Sequence, residues 1–257
     1  IRNRMTKLNG GTPISDGPFR NGSMYLTYTN EGMPIGAFWG YKTDGLIQTQ
    51  EQLNAVKRAD FQPNAELGDV LFVDTNGDGK LDSSDRCMIG NPIPDIIYGI
   101  NMGMAWKGFD LNLQFGGTIG NQIFNAMRYY TYFPNDITNK DRALMNYWTP
   151  NNTNTDIPRL TATDVNDNDR FSDMYVENGT YFRLRNAQLG YTLPASLTQR
   201  IKLQKVRFYV SGQNLFTISS YSGMDPEVGQ SSSLSRGIDY GIYPQNISFT
   251  GGINVTF

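Results

Sequence analysis

The stretch ISFTGGINVTF, residues 247–257, alternates without a break: Ile247, Phe249, Gly251, Ile253, Val255 and Phe257 on one side, Ser248, Thr250, Gly252, Asn254 and Thr256 on the other. A period of two marks a strand with one apolar and one polar face. Strands of soluble sheets run to about 5–6 residues, whereas a tilted strand needs about 9–11 to cross a bilayer. Residues 247–257 therefore predict a membrane strand, with Phe249, Ile253 and Val255 toward lipid and Ser248, Thr250 and Asn254 toward a lumen.

The same pattern recurs upstream. Phe109, Leu111, Leu113 and Phe115 alternate with Asp110, Asn112 and Gln114. Just before them, Tyr98, Ile100, Met102, Met104 and Trp106 alternate with Gly99, Asn101, Gly103 and Ala105. Only Lys107-Gly108 separates the two runs, which predicts a hairpin with a tight turn. Val206, Phe208 and Val210 alternate with Arg207, Tyr209 and Ser211 in a strand over 203–217. Over 180–192, Phe182 and Leu184 alternate with Arg183 and Arg185, and the apolar set then moves to Ala187, Leu189 and Tyr191. That one-residue change of phase predicts a bulge near Asn186. Residues 33–47 and the first eight residues are weaker strand candidates, for about seven strands in all.

The connections alternate in length. Lys107-Gly108 and 193–202 are short, while 48–94, 119–179 and 218–246 are long and rich in Asn, Asp, Ser, Gly and Pro. Loops beyond about 12–15 residues count against a compact soluble domain, but short turns on one side and long loops on the other are usual in outer-membrane barrels. If the last strand runs down to the periplasm, all three long loops fall outside the cell and both short turns fall inside. Eight strands already fill their own interior with side chains, so about seven form a sector of a larger structure. The fold expected is all-β: a sector of a large antiparallel transmembrane β-barrel.

Composition agrees. Gly (27), Tyr (15), Phe (14) and Trp (3) beside 18% charged residues suit strands, glycine turns and exposed aromatics. No apolar run reaches the roughly 20 residues of a transmembrane helix, and a mean hydropathy of −0.45 is compatible with barrel strands. A net charge of −2 offers no basic face for nucleic acid. The absence of His removes the commonest general base and transition-metal ligand, and the single Cys87 forms no internal disulfide. The opening IRNRMTKLNGG has neither the apolar core nor the cleavage pattern of a signal peptide, so an exported protein would carry it inside a longer precursor.

One local motif has sharp spacing: DTNGDGKLDSSD, Asp74 to Asp85. Asp74, Asn76, Asp78, Asp82 and Asp85 fall at positions 1, 3, 5, 9 and 12 of a calcium loop, with Gly79 at the sixth and the Lys80 carbonyl at the seventh. Asp85 stands where an EF-hand has Glu, as in dockerin-type loops. The segment reads either as a Ca²⁺ site or as an Asx-rich turn without metal. No nucleophile elbow or phosphate-binding loop is present, so an enzyme is not expected. The carboxylate pairs Asp167/Asp169 and Asp225/Glu227 read as solvated loop side chains. Tyr129, Tyr130, Tyr132, Phe133 and Trp148 read as packing inside a folded loop, with sugar or peptide contact the lesser alternative.

Taken in order, MPIGAFWGYKTDGLI (33–47), GDVLFVDTNGDGKLDSSDRCMIGNPIPDIIYGINMGMAWKGFDLNLQFGG (68–117), NGTYFRLRNAQLGYTLP (178–194), FYVSGQNLFTISSYSGMDPEV (208–228) and GINVTF (252–257) resemble the SusC/RagA family of TonB-linked outer-membrane transporters. The resemblance implies a barrel of 22 strands, of which this chain is roughly the last third, with the plug and TonB box lying before residue 1. It further implies import of oligosaccharides or peptides under a SusD-like lipoprotein lid, energised by the TonB–ExbB–ExbD complex. Phe257 matches the family's terminal aromatic, the signal read by the barrel-assembly machinery, and outer-membrane lipid would surround the strands. The other readings are a secreted, calcium-stiffened β-sandwich that binds carbohydrate and a passive porin.

Overall fold

The computed structural model describes residues 4–20, 22–133, 139–229 and 232–257. Five long strands form one antiparallel meander: β1 (Ile96–Trp106), β2 (Phe109–Ile119), β3 (Tyr181–Thr192), β4 (Lys205–Ser219) and β5 (Ser248–Thr256). Each pairs with its neighbour in chain order. The expected strands are present within two residues at each end. Between β1 and β2, Lys107 (φ 46°) and Gly108 (φ 89°) both adopt the left-handed conformation of a type I′ turn. A Cβ on Gly108 would stand 2.8 Å from the Thr192 carbonyl oxygen, so the adjoining strand end also demands glycine.

The expected bulge is present. Leu184 pairs with Phe115 and Phe216, but Asn186 pairs with Gln114 and Gln213, leaving Arg185 extra on β3 and Asn214-Leu215 extra on β4. Asn214 accommodates this at φ 53°. The shift keeps Phe182 and Leu184 on the same face as Ala187, Leu189 and Tyr191.

The two weaker strand candidates do not join this sheet. Residues 33–47 contribute two short strands, Ala37–Gly40 and Thr43–Leu46, to separate small sheets. Ala37 and Phe38 are both fully buried, whereas a membrane strand would send consecutive residues to opposite faces. Of the first eight residues, 4–8 form no strand, and 1–3 lie outside the described residues. The long sheet therefore has five strands rather than about seven.

All three long connections leave the same end of the sheet and fold together into a cap with its own core. Strand Gln122–Asn125 pairs with Val176–Asn178 and, in parallel, with Ile238–Asp239, so two connections share one small sheet. Around it pack Phe19, Phe38, Phe124, Tyr129, Phe171, Tyr175 and Ile238. Phe124 meets Phe171 edge to face at 4.8 Å, and Phe19 meets Tyr129 likewise at 4.9 Å. A second cluster centres on Trp148, whose indole donates to Gln48 Oε1 at 2.7 Å. The indole lies directly against Gly68, a left-handed residue with no room for a Cβ. The expected aromatic packing is thus found at Tyr129, Phe133 and Trp148.

Candidate functional site

The cross-strand registers sort the side chains of the sheet into two faces. One carries Met102, Leu113, Ala187, Gly212 and Phe249 in one transverse row, and Met104, Leu111, Leu189, Val210 and Gly251 in the next. Met102, Met104, Val210, Phe249 and Ile253 are all at least half exposed. No second sheet or helix covers this face among the described residues. Aromatic rings bound the apolar band at both ends. Toward the turns stand Trp106, capped by Lys107 at 4.7 Å, and Phe109 against Tyr191 at 4.5 Å. Toward the cap, Phe182 stacks with Tyr98, Phe115 and Phe216. The ten residue steps from Ile96 to Trp106, at about 3.4 Å each and tilted about 40–45°, span roughly 25 Å, the height of the apolar band of an outer-membrane barrel.

The opposite face is polar. Asn101, Gln114, Asn186, Gln213 and Ser248 form one row across all five strands. The next row toward the turns is Gly103, Asn112, Gln188, Ser211 and Thr250. Below it, Arg207 grips Asp110 through Nε at 2.9 Å and through a second guanidinium nitrogen. Gly190 and Gly252 lie under Arg207 and Tyr209, where a Cβ would collide with those side chains.

Toward the cap, the bulge sets Arg183 and Arg185 on this polar face. Arg183 is 2% exposed and donates to Asp225 Oδ1 at 2.5 Å, Glu227 Oε2 at 2.8 Å and Thr217 Oγ1 at 2.8 Å. Arg185 donates to Glu227 Oε1 at 3.0 Å. Asp225 also accepts from the backbone N–H groups of Glu227 and Gln245. Burial pushes the Asp225 carboxyl up, but those two N–H groups and Arg183 outweigh it, and the net position is below the usual carboxylate range. Asp225 is therefore buried, and Glu227, though partly exposed, is ion-paired with both arginines; together they clasp both ends of the 220–246 connection onto β3. In the other carboxylate pair, Asp167 binds Arg170 and Asp169 binds Arg20. The phase change at 184–186 was the sequence signal for this clasp, since two arginines on one polar row at a strand end need carboxylates from elsewhere.

The 74–85 segment is a compact polar turn in the cap. Asp74 accepts from Gly77 N at 2.7 Å and Gly79 N at 2.8 Å, Asn76 from Asp78 N at 2.9 Å, Asp78 from Lys80 N at 2.9 Å, and Asp82 from Ser84 N at 2.7 Å. The Gly79 N–H, partly opposed by desolvation, leads the causes holding the Asp74 carboxyl below its usual range. Asp85 is fully buried, accepting from Thr75 N and Asp82 N at 3.0 Å each. It closes the turn, with both oxygens engaged. Among the described residues, no three acidic side chains converge on one point in this segment or elsewhere. Phe257 follows the last strand and is 83% exposed.

No family model matches the chain. TonB-dependent receptor P3 of Formosa agariphila is 37% identical over 268 residues, covering all of this chain and 26% of its own length. TonB-dependent receptor SusC of Bacteroides thetaiotaomicron is 29% identical over 198 residues, covering 77% of the chain and 18% of its own length. Among solved structures, the RagAB peptide importer in its open-open state superposes with a TM-score of 0.71 at 25% identity, covering 99% of this chain and 25% of that one. The chain thus spans between a fifth and a quarter, roughly, of the length of these relatives. With the five-stranded meander, its two-faced side-chain pattern and these matches together, the chain belongs to the SusC/RagA family of TonB-dependent receptors.

Proposed function

We propose that the longer protein containing this chain is an outer-membrane β-barrel that imports oligosaccharides or oligopeptides. Import is driven through TonB, ExbB and ExbD, a SusD-like lipoprotein forms the lid, and the barrel-assembly machinery inserts the protein. The observation that carries this reading is a single sheet left open on both faces, apolar on one and polar on the other. A soluble protein would bury such an apolar face, whereas lipid satisfies it and a water-filled lumen satisfies the polar side. The test is uptake of labelled oligosaccharides and peptides by cells carrying the full-length gene and its lipoprotein partner. Deleting TonB should abolish uptake. Uptake that persists without TonB would establish a passive pore instead.

For the cap we propose that Ca²⁺ binds at Asp74, Asn76, Asp78, the Lys80 carbonyl and Asp82, with Asp85 acting through the backbone rather than as a strong ligand. Support comes from the ligand spacing and from the Gly79 N–H to Asp74 bond that shapes the turn. Because Asp74 accepts two backbone N–H groups, Asp74→Ala would loosen the turn even without metal. Chelation is the cleaner test. Adding EGTA should raise protease cleavage between residues 74 and 85 and leave the barrel's heat resistance in detergent unchanged. An unaltered cleavage pattern would leave only an Asx-rich turn.

A further inference from the structure

We infer that the turn-side half of the apolar face binds one anionic glycerophospholipid, with an acyl chain in a groove across β2–β5 and the headgroup on a rim of cations. The inference rests on the sheet lying in a membrane and is independent of what the barrel carries.

In the middle rows of the apolar face the side chains shrink. Ala187 and Gly212 are neighbours in one row, and Gly251 stands beside Val210 in the next. Leu111, Leu189, Val210, Leu215 and Phe249 rise around them, which leaves a groove of about 400 Å³ on the lipid side. Sites for small ligands span about 300–1,000 Å³. Alternation sends the intervening Gln188, Ser211 and Thr250 side chains to the opposite face, so the groove suits a hydrocarbon chain. Further strands of the longer protein would pair at the edges of the sheet, and a plug would fill the lumen on the polar side. Both leave the groove open to lipid.

The groove opens toward the turns. Two residue steps along the strands, about 7 Å, lead from its Leu111–Leu189–Val210–Gly251 row to the aromatic ring of Trp106, Phe109 and Tyr191. Beyond that ring lie cations. Lys107 sits over Trp106, and Arg200 and Lys202 are exposed on the 193–204 turn. The two turns meet, because the Thr192 N–H donates to the Gly108 carbonyl at 2.8 Å. Leu197, half exposed on the second turn, adds an apolar foothold at the same level. Across the five strands and both turns Asp110 is the only acidic residue, and Arg207 holds it on the polar face. Every other Asp and Glu precedes β1 or lies in the connections of the cap. Lys107, Arg200 and Lys202 thus have no carboxylate of the meander to pair with, and the phosphodiester of an anionic lipid supplies the missing charge. A second copy packed on this face in the same membrane orientation would bring like cations to the same level, which favours lipid as the occupant.

The test titrates the full-length protein in detergent with long-chain phosphatidylglycerol, and with phosphatidylethanolamine carrying the same chains, and reads bound lipid by native mass spectrometry. A cation beside an anionic headgroup contributes about fivefold, so the parent should prefer phosphatidylglycerol by well over tenfold. Lys107→Gln with Arg200→Gln and Lys202→Gln should abolish that preference. Gly251→Leu fills the groove, and the strand tolerates it, since a Cβ there meets nothing closer than the Tyr209 carbonyl oxygen at 3.9 Å. It should weaken both lipids by about tenfold, the loss of about two buried methylenes, and leave the preference between them. A retained heat-resistant band on electrophoresis shows that each barrel has formed. Equal retention of both lipids by the parent, a preference unmoved by the triple substitution, or binding unmoved by Gly251→Leu would each overturn the inference. So would a dimer that retains no lipid, or displacement of the lipid by free glycerol phosphate at equal concentration. A parent that fails to insert into liposomes would remove the membrane reading itself, and this inference with it, whereas loss of TonB-dependent uptake alone would leave it standing.

Discussion

Leu113→Arg should destabilise the folded barrel by about 2–4 kcal/mol, whereas Arg at Asn112, the next residue, should cost little. The registers fix where the large effect belongs. Leu113 lies in the middle row of the apolar face, between Met102 and Ala187, two rows from the ring of Trp106 and Phe109 and two from that of Tyr98 and Phe182. An arginine there has the longest reach to either interface. Ile253, by contrast, aligns with Phe208, Tyr191, Phe109 and Trp106 at the turn-side ring. Ile253→Arg should cost only about 0–1 kcal/mol, because its guanidinium can reach the headgroups. Asn112 faces the lumen and leaves the charge in water. The measurement is reversible folding of the full-length barrel into liposomes with each single substitution. Equal costs at Leu113 and Asn112 would mean that the apolar face does not meet lipid. A cost at Ile253 matching that at Leu113 would move the membrane band toward the turns.

The five long strands were legible because each alternates apolar and polar residues, over six to eleven residues and with one change of phase in β3. Alternation fixes the face, the Lys107-Gly108 turn fixes a register, and the phase change at Asn186 locates the bulge. The cap was legible only as long connections. Its strands are two to six residues long and pair across large separations, as Ile238 does with Phe124. So short a run carries no readable period, and residues 33–47 looked like a possible barrel strand for that reason. The aromatic clusters correctly pointed to packing, but their partners could not be named: Phe19 and Tyr129 meet across 110 residues of sequence. The charges around the site failed in an instructive way. Asp225 and Glu227 sit among Ser, Gly and Pro, where carboxylates are usually solvated. What draws them inward is Arg183, over forty residues away, placed by the bulge on the polar face.

That arginine sets the other large expected effect. Arg183→Met should loosen the 220–246 connection by about 3–5 kcal/mol, since it strips the cation from a buried carboxylate and leaves Asp225 with only two N–H donors. Hydrogen exchange of the amides flanking Asp225 should then quicken by about two to three and a half powers of ten. Arg185→Met should do far less, roughly 0–1 kcal/mol, because both it and Glu227 are more than a third exposed. Replacing both buried partners, Arg183→Met with Asp225→Leu, should recover much of the loss, as an apolar pair leaves no charge stranded. The pH dependence follows from the same carboxylate. Asp225 is held below its ordinary range in the folded chain, so the clasp contributes fully above the unfolded carboxylate value of about 3.9 and weakens as pH falls through the lower, folded one. Neutral and mildly acidic conditions should therefore leave exchange around Asp225 unchanged, with opening setting in only below about pH 4. If Arg183→Met and Arg185→Met quicken exchange equally, burial is not what makes the clasp strong, and the loop is held by its packing on the cap instead.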